Sequence, residues 1–345
     1  DGITNLSLPS FTGTAEKITN IQLYAADGVT VLGSTVSSNS GSSTWSILPS
    51  TPLPEGTQTL TVKSTDTAGN VSAAGTITIT VDRTAPAAPA GIALAAGEDT
   101  GVSATDGLTS VTTPIVTGTA DVGTTVTLYD TNGTTVLGSA VAGGSGDWEI
   151  TSASLVAGAH TLTVKTEDLA GNVSVASDGL NVTIDTTPAA VPAIPTLAVG
   201  NDTGTSTTDR ITKINTPTFA GSGVSEANVT IEVYGSYTNS KGQLATVLVA
   251  TGKSDGTGNW TASATTTLED ATYQVQARSV DLAGNTSTLS GSRLVQIDAT
   301  APVAPTIKLA PGSDTGMSPN DGITNLSLPS FTGTAEKITN IQLYA

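Results

Sequence analysis

The sequence has no cysteine, one histidine and only 3% aromatic residues in 345 positions. Without cysteine there is no disulfide and no thiol nucleophile, and one histidine cannot supply repeated Cys/His zinc sites or Cys–His catalysis. No run of 18 apolar residues occurs, which argues against a membrane-spanning helix. These absences predict a chain without membrane insertion and without enzyme activity of its own.

Basic residues are also scarce. The chain has 12 Lys and Arg against 29 Asp and Glu, a formal net charge of −17. Nucleic-acid binding depends on clustered Lys and Arg, so this balance predicts no nucleic-acid partner. Val, Ile, Leu and Thr are plentiful and evenly spread, which is typical of folded rather than disordered chains.

What the sequence does contain is repetition. Residues 1–25 recur without change at 321–345. The phrase TDTAGNVS around Asp66 returns as EDLAGNVS around Asp168 and as VDLAGNTS around Asp281, roughly 100–115 residues apart. One tryptophan falls at the same phase of each repeat. Because the chain begins and stops in mid-repeat, we expect it to be a piece of a longer array.

Further phrases recur in step with these. They are the linker phrase with Asp82, Asp185 and Asp298; the phrases EDTG, NDTG and SDTG with Asp99, Asp202 and Asp314; and the phrases TDGLT, TDRIT and NDGIT with Asp106, Asp209 and Asp321, of which Asp1 is the truncated first copy. The period predicts four domains: 1–82, truncated at its N-terminus; 83–185; 186–298, with a longer C–D hairpin; and 299–345, the first part of a further domain.

Each repeat is predicted to be an immunoglobulin-like β-sandwich. Short segments rich in β-branched residues alternate with turn residues, and no segment keeps a helical period. Seven strands in about 100 residues are typical of this sandwich. In the second repeat, strands A to G are predicted at 92–96, 114–120, 124–130, 134–141, 147–153, 160–168 and 180–185. The fold class is therefore all-β, with tandem sandwiches in an elongated array.

Strand direction places the acidic loops at the two ends of each domain. If strand A runs upward, the A–B loop and the end of strand G lie at the top, and the F–G loop lies at the bottom. The junction between the second and third domains would then gather Asp99, Asp106 and Asp185 with Asp281 and Asn285. The preceding junction would gather Asp1 and Asp82 with Asp168 and Asn172, and the following one would contain Asp202, Asp209 and Asp298. Asp314 and Asp321 would belong to the next junction, whereas Asp66 and Asn70 form the F–G loop of the first domain.

Several carboxylates at one junction repel each other unless a cation neutralises them. Ca²⁺ takes six to eight oxygen ligands from carboxylates, amides and backbone carbonyls. The sequence therefore predicts Ca²⁺ as the cofactor at the junctions. The alternative stays open, because Asp, Asn, Gly and Thr are also ordinary turn residues.

Other conspicuous residues are predicted to be structural. Trp45, Trp148 and Trp260 share one strand position, which favours core packing over sugar stacking. Three tyrosines share another phase and are interpreted in the same way: Tyr24, Tyr129 and Tyr234. His160 is predicted to lie at the surface or at a strand edge.

Taken together, the linker phrase, the DTG phrase, the G-x-W strand and T-D-x-A-G-N-x-S before a V-x-I-D strand resemble the bacterial Ig-like repeats of giant, type I-secreted RTX-type adhesins and biofilm-associated surface proteins. The resemblance covers essentially the whole chain. It implies extracellular stalk domains stiffened by Ca²⁺ at their junctions, with the linker and F–G loop aspartates as ligands. The third repeat departs from the pattern at Phe219-Ala-Gly-Ser-Gly-Val. The absence of cysteine fits this mode of export.

The resemblance implies a structural spacer on the bacterial cell surface that supports adhesion and biofilm formation. Its partners would be neighbouring repeats of the same chain, and a host-cell or biofilm-matrix surface reached through other parts of the protein. Two alternatives remain: a glycan- or self-binding module whose acidic loops are only turns, and an accessory region of a secreted hydrolase.

Overall fold

The structure is a computed structural model that describes residues 1–41, 43–239, 241–318, 320–337 and 340–344. In these residues the regular elements are β-strands, which confirms the all-β fold class. No helix in the described part of the chain is long and apolar enough to cross a membrane.

The chain forms two compact units. One consists of Asp1–Pro188 together with Asp281–Asn285, and the other of Ala189–Val280 together with Thr286–Ala345.

The described residues of the first domain form seven strands in two sheets. The larger sheet has the order β1-β7-β6-β3-β4 and the smaller pairs β2 with β5. The strands are β1 (Ile3–Thr4), β2 (Phe11–Thr14), β3 (Asn20–Tyr24), β4 (Val31–Val36), β5 (Thr44–Ile47), β6 (Gly56–Thr65) and β7 (Gly75–Val81).

The second domain has eight strands and shows the sandwich in full. One sheet has the order β13-β10-β8 and the other β12-β11-β14-β15-β9. The strands are β8 (Ala90–Leu94), β9 (Leu108–Thr109), β10 (Ile115–Thr119), β11 (Thr125–Tyr129), β12 (Val136–Val141), β13 (Asp147–Thr151), β14 (Gly158–Glu167) and β15 (Leu180–Ile184). In immunoglobulin notation β8 is strand A, β10 to β15 are B to G, and β9 is a further strand, A′.

The third domain joins its strands into one curved sheet with the order β16-β18-β21-β20-β19-β22-β23-β17. Strand β20 is long enough to pair with β19 along one edge and with β21 along the other. The strands are β16 (Thr196–Leu197), β17 (Ile211–Thr212), β18 (Thr218–Val224), β19 (Ala227–Thr238), β20 (Leu244–Asp255), β21 (Gly258–Ser263), β22 (Ala271–Val280) and β23 (Arg293–Ile297). Beyond β23, the last segment contributes β24 (Lys308–Leu309) and β25 (Phe331–Thr332).

The C–D hairpin of the third domain is longer than in its siblings. Strands β19 and β20 have 12 residues each, whereas β11 has 5 and β12 has 6. The extra length comes from the insertion after Tyr234, where alternating apolar residues extend the pairing to Thr238↔Leu244.

Strand alternation builds each core. Along β14, His160, Leu162, Val164 and Thr166 are buried, whereas the residues between them are more exposed. This period of two places one face on the opposite sheet and the other in water. Among the described residues three separate hydrophobic cores result, one in each of the first three domains.

The tryptophans occupy these cores as predicted. Trp148 and Trp260 are 4% and 2% exposed, and Trp45 is half-buried against the core of the first domain. The indole of Trp148 lies over Gly118 of strand β10, where an added Cβ would come within 2.5 Å of the ring. Glycine at this position therefore lets the ring approach the neighbouring strand.

Some predictions were wrong in detail. Strand A′, which is β9, was not predicted, because a strand of two residues shows no periodicity in the sequence. It pairs in parallel with β15, so the edge that was predicted as one A strand consists of two pieces. Strand A lies at Ala90–Leu94 and not at 92–96.

The tyrosines at the shared phase are half-buried rather than part of the core. Each ring stacks under a cation of the neighbouring F strand: Lys63 over Tyr24 at 5.6 Å, Lys165 over Tyr129 at 5.7 Å and Arg278 over Tyr234 at 5.1 Å. The rings therefore cover the outer sheet face in cation–π pairs.

His160 is also not at the surface. It is 8% exposed, with Nδ1 at 2.8 Å from Asp130 Oδ1 and Nε2 at 2.9 Å from the Val156 carbonyl oxygen.

Candidate functional site

The F–G loop has the same closed geometry in all three domains. In the second domain Asp168 Oδ1 accepts hydrogen bonds from the backbone N–H of Ala170 and Asn172, at 2.8 and 2.9 Å. Gly171 has a φ of 88°, in the left-handed region that favours glycine. The A-G-N sequence is thus explained by a tight turn that the aspartate closes from inside.

The asparagine at the end of this loop has a second partner. Asn172 Nδ2 donates to Asp168 Oδ2 at 2.9 Å within the loop and to the Asp82 carbonyl oxygen at 2.9 Å. Asp82 directly follows the G strand of the first domain. The amide therefore connects the second domain to the end of the first.

The third domain repeats this contact on the second. Asn285 Nδ2 donates to Asp281 Oδ2 at 2.9 Å and to the Asp185 carbonyl oxygen at 2.8 Å. Two different pairs of consecutive domains thus share one hydrogen bond at equivalent positions. In the first domain, Asn70 makes the bond within its loop, to Asp66 Oδ2 at 2.8 Å.

Additional contacts strengthen the second of these junctions. Thr100 Oγ1 donates to the Ala283 carbonyl oxygen at 2.6 Å, and Val102 N–H donates to the Leu282 carbonyl oxygen at 3.2 Å. Gly101 has a φ of 94°, and a Cβ there would lie 1.9 Å from the Leu282 carbonyl oxygen. Only glycine permits this approach of the two backbones.

At the first junction, Asn5 Nδ2 donates to the Gly171 carbonyl oxygen at 3.0 Å. Asn5 and Thr100 were not predicted as junction residues. Asn5 recurs as Asn325, and Thr100 lies in the repeated DTG phrase. That repetition is the signal that could have pointed to them.

Each of the three DTG aspartates has one carboxylate oxygen without a hydrogen-bond partner among the described residues. Their Oδ2 atoms accept from the backbone N–H groups of Gly107, Arg210 and Gly322, at 3.0, 3.0 and 3.3 Å. Their Oδ1 atoms are buried and have no hydrogen-bond partner among the described residues: Asp99, Asp202 and Asp314. Buried polar atoms are normally paired, so an atom left unpaired in three copies calls for an explanation.

A groove of about 620 Å³ lies beside the first of these aspartates. Asp99, Asp106 and Asn181 line it together with Leu180 and the alanine-rich segment 93–96. The structure thus brings the two predicted A–B loop ligands of the second domain to one groove.

The remaining aspartates shape turns. Asp1, Asp106, Asp209 and Asp321 each accept a hydrogen bond from the N–H two residues ahead, at 3.1, 3.0, 3.1 and 3.0 Å. After the first three of them, strand A′ or its counterpart begins there. Asp82 and Asp185 accept in the same way from Thr84 and Thr187, at 3.0 and 2.9 Å. The backbone N–H of Asp298 donates to the Thr212 carbonyl oxygen at 2.9 Å, in register with its siblings.

The predicted gathering of carboxylates takes a different form in the structure. The Asp281 carboxylate is bound inside its own loop and the residue is 2% exposed, so Asn285 and not Asp281 contacts the preceding domain. Within the described ranges, no three His, Cys, Asp or Glu side chains lie close enough together to hold one metal ion.

Hydrogen bonding keeps the loop carboxylates of Asp66 and Asp168 ionised. The Asn70 amide, followed by backbone N–H groups, lowers the pKa of Asp66. Burial alone would raise the pKa of Asp168, but hydrogen bonds from Asn172, Ala170 and Gly171 outweigh it and lower the pKa. These groups therefore carry negative charge at neutral pH.

The repeated domain can now be assigned to a family. The sequence matches the profile of the bacterial Ig-like domain over residues 1–83, 86–186, 188–299 and 300–345. The chain belongs to the bacterial Ig-like domain family. It consists of tandem repeats of that domain, as the motifs in the sequence predicted.

Several solved structures are similar. The tetra-tandem repeat in the extending region of a large adhesion protein is 19% identical, with 88% of this chain and 73% of that chain covered and a TM-score of 0.25. A 1.5-MDa bacterial ice-binding adhesin is 16% identical, with coverages of 86% and 95% and a TM-score of 0.30. The fibronectin(III)-like modules of Clostridium thermocellum CbhA are 18% identical, with coverages of 53% and 87% and a TM-score of 0.33. The chain matches no sequence among the curated proteins.

Proposed function

We propose that this chain is a spacer segment of a bacterial cell-surface adhesin, in which Ca²⁺ at the domain junctions stiffens the array and thereby supports adhesion and biofilm formation. The observation that carries the proposal is the repeated junction contact, in which Asn172 and Asn285 each bind the carbonyl that ends the preceding domain. A contact that recurs at the domain period transmits force along a chain of equivalent modules. The domains themselves carry no catalytic role in this proposal.

The unpaired oxygens support the choice of Ca²⁺. Asp99 Oδ1 is buried without a partner among the described residues beside Asp106, and the surrounding donors are carboxylate, amide and carbonyl oxygens. Oxygen donors of this kind suit Ca²⁺, and a bound cation would compensate the buried charge. Since no three carboxylates meet in the described residues, backbone carbonyls and asparagine would supply most of the ligands.

The proposed setting is extracellular. Calcium sites in extracellular modules have dissociation constants of roughly 10⁻⁴–10⁻³ M, so they fill outside the cell and empty inside it. The segment would remain flexible during export and stiffen at the cell surface. Contact with a host cell or with biofilm matrix would be made by other parts of the adhesin.

The test is small-angle X-ray scattering of the full chain with about 1 mM Ca²⁺ and then with EGTA, together with calorimetric titration of Ca²⁺. We expect the maximum dimension to fall and the ensemble to broaden when Ca²⁺ is removed. Asp99→Asn, which keeps an acceptor for Gly107 N–H but removes the charge, should weaken binding at one site by about tenfold. Asp147→Asn, at an exposed position of strand β13, is the matched control and should bind as the parent does.

Coincident scattering profiles without calorimetric Ca²⁺ uptake would overturn the calcium part of the proposal. A glycan- or self-binding module with purely structural turns would then be the better account. One observation favours that second candidate: the aspartates of the F–G loops already form local hydrogen bonds of their own.

A further inference from the structure

The linker after the first domain is held by a carboxylate of that domain. Glu55, in the E–F loop, accepts from the backbone N–H of Arg83 at 3.2 Å and from Thr84 Oγ1 at 2.7 Å, and its second oxygen lies 3.7 Å from the Arg83 guanidinium. The first two residues after Asp82 are therefore fixed to the domain that they leave.

The linker after the third domain is held in the same way. Asp270 accepts from the backbone N–H of Ala299 at 2.8 Å and of Thr300 at 3.0 Å, and it also binds the Thr300 hydroxyl. Ala299 and Thr300 correspond to Arg83 and Thr84, since each pair directly follows the aspartate that ends strand G. Two domains thus use the same device with a different carboxylate.

The second domain lacks a carboxylate at the position that holds the linker in the first and third domains. The E–F loops align through Leu53, Leu155 and Leu268, which are buried and donate equivalent backbone hydrogen bonds, to Ser7, Thr112 and Asn215. Two residues further on, Glu55 and Asp270 have Ala157 as their counterpart. A methyl group accepts no hydrogen bond, so position 157 offers Thr186 and Thr187 no carboxylate to bind.

The far end of the first and third linkers is also held. Asp121 Oδ2 accepts from Ala87 N–H at 2.9 Å, and Glu336 Oε2 accepts from Val303 N–H at 3.3 Å. Between the two attachments only Ala-Pro remains, at 85–86 and at 301–302. Proline fixes φ, so little freedom is left in these two linkers.

We infer that Glu55 and Asp270 are linker latches, which fix the start of a linker to its domain without any metal, and that Ala157 leaves the linker after the second domain unlatched. Residues 186–187 would then lack the carboxylate attachment that fixes their counterparts after the first and third domains. The inference deepens the proposed spacer function and rests on it for its biological purpose, whereas the latch itself is independent of calcium.

The test is residue-resolved amide hydrogen exchange by NMR on the full chain, with EGTA present so that calcium plays no part. Glu55→Ala should speed exchange at Arg83, and Asp270→Ala should speed exchange at Ala299 and Thr300, each by about fivefold, as expected for one exposed hydrogen bond to a charged group. The amide of Thr84, which donates to Asp82, is the internal control and should change little.

The gain-of-function variant is Ala157→Glu. Since the first domain has Glu55-Gly56 and the second has Ala157-Gly158, the substitution recreates the latch in a matched loop. We expect exchange at Thr186 to slow by about fivefold.

Unchanged exchange in Glu55→Ala and Asp270→Ala would overturn the latch. Unchanged exchange at Thr186 in Ala157→Glu would overturn the claim that the missing carboxylate makes this linker different. Neither result depends on Ca²⁺ uptake, so the latch and the calcium proposal can fail separately.

Discussion

The protonation state of the buried His160 is determined by its two hydrogen-bond partners. Its two ring nitrogens face the Asp130 carboxylate and the Val156 carbonyl, both of which only accept hydrogen bonds. A neutral imidazole has one donor, so both bonds form together only in the imidazolium form. Burial alone would lower the pKa of His160, but the bonds to Asp130 and Val156 outweigh it and raise the pKa.

This arrangement predicts a pH-dependent stability of the second domain. Because the folded pKa of His160 is raised, its stabilisation is complete below the unfolded value of about 6.5 and is lost as the pH rises through the folded pKa. Asp130, whose pKa is lowered on balance although burial opposes this, is ionised throughout that window. His160→Gln should therefore destabilise the domain more at about pH 5.5 than at about pH 9.

Thermal denaturation at the two pH values checks this prediction, and NMR titration of the chain's one histidine gives the pKa directly. Glutamine stands at the equivalent position of the first domain, Gln58, so the variant is compatible with the fold. Equal losses at both pH values, or a titration midpoint at or below the ordinary value, would contradict the assignment.

At the scale of elements, the F–G loop joins a local turn to an interdomain contact. The aspartate closes the turn, and this leaves the asparagine amide with one N–H for the loop and one for the preceding domain. Ala283, in the F–G loop that makes the contact, is fully buried, whereas its counterpart Ala68 in the first domain is exposed. The difference shows how much the interdomain contact buries the loop.

The first domain offers a matched control for this contact. Asn172→Ala removes the bond within the loop and the bond to the Asp82 carbonyl, whereas Asn70→Ala removes only the bond within its loop. We expect Asn172→Ala to cost about 1 kcal/mol more than Asn70→Ala, the usual net value of one hydrogen bond. Calorimetric melting of the two variants measures the difference; equal losses would mean that the interdomain bond contributes nothing.

At the scale of the whole molecule, the described residues form three separate hydrophobic cores. This agrees with the length of the chain, because a single core stops growing beyond about 250–300 residues. Each core contains or adjoins one tryptophan. Domains with separate cores unfold as separate cooperative units, so a single melting temperature does not describe the chain.

A core substitution should therefore affect one transition only. Gly118→Ala places a Cβ 2.5 Å from the Trp148 ring and 3.0 Å from the Ala90 carbonyl oxygen. Overpacking of this kind costs about 1–3 kcal/mol and should lower the melting temperature of the second domain by several degrees. Gly144→Ala, where a Cβ would meet nothing within 4 Å, is the control. Deconvoluted calorimetry would contradict the prediction if all transitions moved together.

The sequence by itself determined the repeat, the all-β class and the core position of the tryptophans. Alternation of apolar and polar residues and recurrent turn phrases are local properties, and they are visible wherever the chain repeats. It also pointed to the loops that make the junction contacts. The predicted strand directions placed these loops at the ends of each domain.

Only the tertiary structure decided which atoms meet. An aspartate in a turn can bind its own loop or a neighbouring domain, and spacing along the chain does not distinguish these partners. The structure shows Asp281 turned inward and Asn285 turned toward Asp185, and it places His160 in the interior beside Asp130. Such choices depend on the hydrogen-bond partners that folding brings within reach, because a buried polar group left unpaired costs more than a local turn gains.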